Sequence, residues 1–201
     1  MESPESITDD QVLELVRERI QDPETRIDRS SILKTEIFPP ASTDALIAAE
    51  DQLGFQLAPL LRRLYREVGN GGFGPGYGIL GVEGGYSYDE GQTIVEAHEF
   101  VSSMCEYQVA WPFGLLPICD WGDGVWSCID CTSNDYAITT SDDEGLTRTA
   151  YDLRSWLLAW CRGVCLWDEM FEFEEVTRRN PFTGGPFASR VRRRAKGKRL
   201  R

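Results

Sequence analysis

Apolar positions along this chain recur with a helical period up to about residue 106. From residue 115 they follow short, turn-punctuated runs instead. Thr8-Asp9-Asp10-Gln11 has the form of a capping box, and Val12, Val16 and Ile20, with Leu13 beside them, predict an amphipathic helix ending near Asp22-Pro23. Residues 24–41 are mixed and read as a linker with room for one short strand before Pro39-Pro40. Ser42 or Thr43 caps a second predicted helix carrying Leu46, Ile47, Ala49 and Leu53, and Gly54 stops it. A third starts near Pro59, buries Leu60, Leu61, Leu64, Tyr65 and Val68, and closes at Gly69. The run Asn70 to Gly78 holds five glycines, which demand backbone-determined geometry. Ile79, Leu80 and Val82 predict a strand behind it, and residues 93–106 a helix.

Leu115 to Cys119, Val125 to Asp130, Tyr136 to Thr140 and Leu146 to Thr149 predict four short strands. The turns between them are Asp120-Trp121-Gly122-Asp123-Gly124, Ser133-Asn134-Asp135 and Asp142-Asp143-Glu144-Gly145, so an antiparallel meander is expected. Tyr151 to Phe173 predicts one closing helix, Asn180 to Pro186 a loop, and the basic C-terminal tail is expected to be disordered. The pattern is an α+β fold: a mixed, largely antiparallel sheet flanked by helices. The expected organisation is residues 1–41 as N-terminal helix and linker, 42–175 as the α+β domain, and 176–201 as loop and basic tail.

Composition narrows the class. With 41% apolar and 27% charged residues, the chain has what a globular core needs. No window approaches the roughly 18 apolar residues that a membrane helix requires, and the acidic start Met1-Glu2-Ser3-Pro4-Glu5 lacks the apolar region of a signal peptide. The six cysteines are therefore expected as reduced thiols in a cytoplasmic protein. Net charge is −12, but Arg190 to Arg201 carry eight positive charges and no acid, so residues 1–189 hold 33 acids against 13 bases. A body that acidic repels nucleic-acid phosphate and attracts a basic protein. It also serves simple solubility. Nucleic acid is an expected partner only through the basic tail.

The candidate chemistry is thin. His98 is the single histidine, so any serine or cysteine triad needs it, and its place on a predicted helix reads as a solvated surface residue. Cys128-x-x-Cys131 with Cys161-x-x-x-Cys165 has zinc-like spacing. The first pair, however, lies in a predicted strand, where positions three apart point to opposite faces, and the second sits among tryptophans and leucines as core residues do. The glycine run follows a helix and lacks a succeeding Lys-Ser/Thr, so neither phosphate-loop context is present. No cofactor is expected. The acids fall mainly on hairpin turns, where turn geometry alone favours Asp. As a recognition surface they carry more: Asp120, Asp123, Asp142, Asp143 and Glu144 are candidate partner-binding residues. Trp121 joins them, either as an exposed anchor or folded back on the sheet.

Residues 44–81 resemble the signature of the SUKH superfamily, the bacterial relatives of fungal Smi/Knr-type cell-wall regulators. The resemblance rests on Leu53-Gly54-Phe55, Leu57-Ala58-Pro59, Tyr65 and Asn70-Gly71-Gly72. Leu116-Pro117-Ile118-Cys119-Asp120-Trp121-Gly122-Asp123-Gly124 and the Trp156-Leu157-x-x-Trp160 helix extend it to about residue 175. It implies an α+β fold and a non-enzymatic role, with no catalytic residue to carry over. Bacterial members of that superfamily are thought to be immunity proteins that neutralise cognate polymorphic toxins, often nucleases or deaminases. Three functions follow as expectations: an immunity protein docking on a toxin through its acidic surface, a regulatory scaffold of the same fold without a toxin, or a small zinc-binding or hydrolytic enzyme.

Overall fold

The computed structural model describes residues 7–21, 37–87, 92–104 and 110–200. Helix α1 spans Asp9–Gln21. Its capping box forms as expected: the Thr8 N–H donates to Gln11 Oε1 at 2.8 Å and the Gln11 N–H to Thr8 Oγ1 at 3.4 Å. Val12, Leu13, Val16 and Ile20 are buried. The linker expected over 24–41 lies mostly outside the described residues. Helix α2 spans Thr43–Leu53, with Ser42 Oγ accepting the Ala45 N–H at 3.1 Å and Gly54 ending it at φ 76°. Helix α3 spans Pro59–Glu67. The buried Glu50 carboxylate ties the two helices, accepting from the Leu57 N–H at 3.2 Å and Arg62 Nε at 3.1 Å. Helix α4 spans Ile94–Met104.

The predicted meander is present. Strands β1 (Leu115–Asp120), β2 (Trp126–Asp130), β3 (Ala137–Asp142) and β4 (Gly145–Asp152) pair antiparallel in sequence order. Asp120 lies opposite Trp126, Trp126 opposite Ser141, and Ser141 opposite Leu146. That row places the β1–β2 and β3–β4 turns at one end of the sheet and the β2–β3 turn at the other. The strand expected at Ile79 to Val82 is reduced to one bridge, Ile79 to Cys119. The Leu80 N–H donates to Ile118 O at 2.9 Å on the β1 side, while the Ile79 N–H and carbonyl face away from β1 and bond Phe73 O at 2.7 Å and the Gly72 N–H at 2.9 Å in the glycine loop.

The C-terminal third departs from expectation. The closing helix is two helices, α5 (Leu153–Cys161) and α6 (Leu166–Met170), because Gly163 turns left-handed at φ 73° between them. The apolar period then changes to two. Phe171–Arg179 forms β5 and Pro186–Ala195 forms β6, an antiparallel hairpin separate from the main sheet. The tail expected to be disordered is thus ordered. Its arginines find acids within the chain, Arg194 gripping Glu172 at 2.7 and 3.1 Å and Arg190 meeting Asp168 at 2.6 Å. Lys198–Arg199 adds a short β7 to the edge of β4. Most of the hairpin beyond its base is exposed, making it an arm on the α+β body.

The core lies between the sheet and the helices, with Tyr65, Leu61, Ile118 and Trp156 fully buried. Helix α1 packs on α5, where Arg154 reaches the Ile7 carbonyl and Asp9. Among the described residues no helix is long and apolar enough to cross a membrane.

Candidate functional site

The two glycine-bearing motifs, some fifty residues apart in sequence, form one joint. The Tyr77 N–H donates to Asp120 O at 3.0 Å, the Cys119 thiol to Pro75 O at 3.1 Å, and the Leu80 N–H to Ile118 O at 2.9 Å. A Cβ on Gly76 would stand 2.5 Å from Asp120 O and 2.9 Å from Cys119 Sγ, so only glycine permits this approach. Asn70 is the hub of the first motif. Its side-chain amide donates to Val82 O at 3.3 Å and Glu83 O at 3.2 Å, and its Oδ1 accepts the Val82 N–H at 2.9 Å. The Tyr65 hydroxyl donates to Leu80 O at 2.7 Å from α3, and burial pushes its pKa up, so it stays a donor. These signature residues act by holding loop 70–87 against β1.

The acidic turn residues part ways. The Asp120 side chain is buried and accepts the Gly122 N–H at 3.0 Å. Trp121 takes the folded-back alternative: it is buried, its indole N–H donates to Ser127 Oγ at 2.9 Å, and its ring stands 5.5 Å from that of Trp167. Asp123 is exposed at the tip, held left-handed at φ 51°. At the β3–β4 turn the Asp142 side chain is 2% exposed and bonds Arg192 at 2.7 Å. Asp143, 82% exposed, meets the same arginine at 3.1 Å. Glu144 is exposed, and its carbonyl accepts from Arg199. The fold therefore brings both turns to one end of the sheet. It turns Asp123, Asp143 and Glu144 to solvent and uses Asp120, Trp121 and Asp142 to shape the turns beneath them.

Sequence reasoning missed the arm and its anchor. Trp167 lies 4.5 Å from Phe171 and 6.1 Å from Phe173, ring centre to ring centre, and so joins the arm base to Trp121. Arg190 sits 3.8 Å above the Phe173 ring. The available signal was the alternation Phe171-Glu172-Phe173-Glu174, with turn residues Asn180-Pro181 and Thr183-Gly184-Gly185 after it.

His98 is half-buried, not solvated: its ring meets Phe55 edge-on at 5.7 Å, and burial lowers its pKa. Cys128 is buried in β2, whereas Cys131 follows that strand, its thiol pushed up to about 12 by burial. Cys161, at the end of α5, is likewise raised to about 12 by burial. Such thiols stay protonated at neutral pH and are poor nucleophiles. Among the described residues no three His, Cys, Asp or Glu side chains gather as a metal set would.

Residues 40–159, more than half of the chain, match the family model described as SMI1 / KNR4 family (SUKH-1). The chain belongs to that family. Compared with curated proteins, it finds no match. The SUKH-1 segment contains the whole joint between the two motifs, and the fold is the expected α+β one. Within it stand eighteen acids against five arginines and no lysine, a net charge of −13. The arm and α1 lie outside the segment.

Proposed function

We propose that this SUKH-1 protein is a non-catalytic immunity protein, which binds a basic toxin domain of nuclease or deaminase type and covers its cleft. What carries the reading is the charge of the family segment, −13 without one lysine. Such a surface complements a nucleic-acid-binding face and accelerates encounter with it. Asp123, Asp143 and Glu144 are the proposed contact residues. Asp120, Trp121 and Asp142 keep the turns in shape, while Arg192 and Arg199 offset part of the charge on the second turn.

The test is a search of the neighbouring genes for a basic nuclease or deaminase toxin domain, then co-expression with that domain and association kinetics. Immunity predicts restored growth and a purifiable complex. Reversing Asp123, Asp143 and Glu144 to Lys should slow association about tenfold at low salt and leave dissociation nearly unchanged, as rim charges do. Unchanged association removes this face from the proposal; failure to protect cells removes the immunity reading. A second reading, a regulatory scaffold of the same fold, is favoured by the arm, an exposed hairpin that stands outside the family segment. It predicts that no toxin gene lies beside this one.

A further inference from the structure

Among the described residues the arm is a two-stranded sheet, so each of its strands has an open edge. Two-stranded ribbons are marginal in water, and open edges are templates for further pairing. The Asn180 N–H donates to Gly185 O at 2.8 Å, which turns Asn180 toward β6. By antiparallel alternation Arg179, Thr177, Glu175 and Phe173 then direct their N–H and C=O groups to the open side of β5. Pro186, opposite Arg179, has no N–H to give, which fits that alternation.

The side chains along this edge read Phe173-Glu174-Glu175-Val176-Thr177-Arg178-Arg179. Acids precede Val176 and bases follow it, so the strand is complementary in charge to its own reverse. A two-fold axis through Val176 sets Val176 opposite itself and Glu174 opposite Arg178 of the second copy. On the other face, Phe173 lies opposite Arg179 of the second copy and Glu175 opposite Thr177 of the second copy. Residues directly opposed share a face, as a symmetric antiparallel pair requires. The outer edge of β6 cannot do this, because Arg190, Arg192, Arg193 and Arg194 would meet their own kind. Glu174, Glu175, Arg178 and Arg179 are all exposed, and Glu174 also pairs with Arg193 inside its own hairpin, a pair that it must share or exchange to meet Arg178 of the second copy. We propose that two copies of this chain associate through the open edges of β5, centred on Val176, into a four-stranded sheet ordered β6-β5-β5-β6. The proposal stands apart from the immunity reading and needs no toxin.

Sedimentation velocity of the full chain across a micromolar concentration series tests it. The wild type is expected to pass from monomer to dimer, with weaker association at high salt. Arg178→Glu alone sets acid against acid twice, and Glu174→Arg alone sets base against base twice. Each should weaken self-association about tenfold or more. Mixed together, the two variants restore both opposite-charge pairs and should form a heterodimer that neither forms with itself. Because Glu174→Arg also breaks the Glu174–Arg193 pair inside the hairpin, Arg193→Gln serves as the control and should leave self-association within about twofold of wild type. Far-UV circular dichroism confirms that each variant is folded. A wild type that stays monomeric overturns the proposal, and it does so equally if the arginines instead retard a short labelled DNA duplex. Charge-reversal variants that dimerise alone as the wild type does, or that fail to pair when mixed, also overturn it.

Discussion

Asn70 offers the sharpest test of whether the signature loop is scaffold or contact surface. The side chain is 2% exposed and makes three hydrogen bonds, at 2.9, 3.2 and 3.3 Å, to backbone groups of Val82 and Glu83. Gly81 and Gly85 press on it so closely that a Cβ on either would overlap the asparagine. Asn70→Ala removes all three bonds and leaves the buried Val82 N–H without that acceptor. A neutral bond contributes about 1 kcal/mol net, and the two longer ones are worth less than the short one. An unsatisfied buried donor costs about 1–3 kcal/mol. The sum is a loss of about 3 kcal/mol. For a chain of this length, 1 kcal/mol moves Tm by about 2–4 °C, so a fall of about 6–12 °C is expected.

Thermal unfolding followed by circular dichroism reads the fall, and a urea midpoint shift at constant m-value confirms that stability alone has changed. Asn70→Asp keeps the acceptor for Val82 but turns an acceptor toward two carbonyls, and should destabilise at least as much as alanine. If Asn70→Ala melts within about 2 °C of wild type, less than 1 kcal/mol by the same scaling, the loop is not held as described. The signature asparagine would then have to be explained by what it touches outside the chain.

Two other outcomes follow from particular contacts. Gly76→Ala should cost about 2 kcal/mol or more, from a left-handed φ of 59° and a Cβ 2.5 Å from Asp120 O, whereas Gly54→Ala, at φ 76° with open space around it, should cost about 1 kcal/mol; equal losses in urea titration would refute the close approach. The Glu67 carboxyl is held down to about 2 by the Arg63 guanidinium, which grips it at 2.9 and 3.0 Å, with Arg66 adding to the effect. A carboxyl lowered by folding stabilises the native state above its unfolded pKa, so that contribution is lost as pH falls from about 4.5 toward about 2. Glu67→Gln should therefore flatten this part of the acid limb of stability, and an unchanged limb would refute the assignment.

The helical caps and the meander were legible because their signals are local. Thr8 with Gln11, Ser42, Gly54 and Pro59 each act within one helical turn of themselves. The turn acids of the meander lie where turn chemistry puts them. The arm was missed because Trp156, Leu157, Trp160 and Val164 carry a helical period toward residue 173. A single left-handed glycine at 163 interrupts it, which spacing alone does not register. The candidate contact residues divided for another reason. Asp120 and Asp123 are the same residue type in the same turn, yet one is buried by loop 70–78 packing on β1 and the other is not.

The amino-acid order by itself determined the α+β class, the capped helices, the antiparallel meander and the excess of acid, since each depends on neighbours a few residues away or on composition. Tertiary structure alone decided which acids reach solvent and that two distant glycine motifs form one joint. It alone placed Arg192 on Asp142 and Arg199 on the Glu144 carbonyl, ordering the basic tail. Those outcomes depend on pairings about fifty residues apart along the chain, and no local period encodes which distant group arrives.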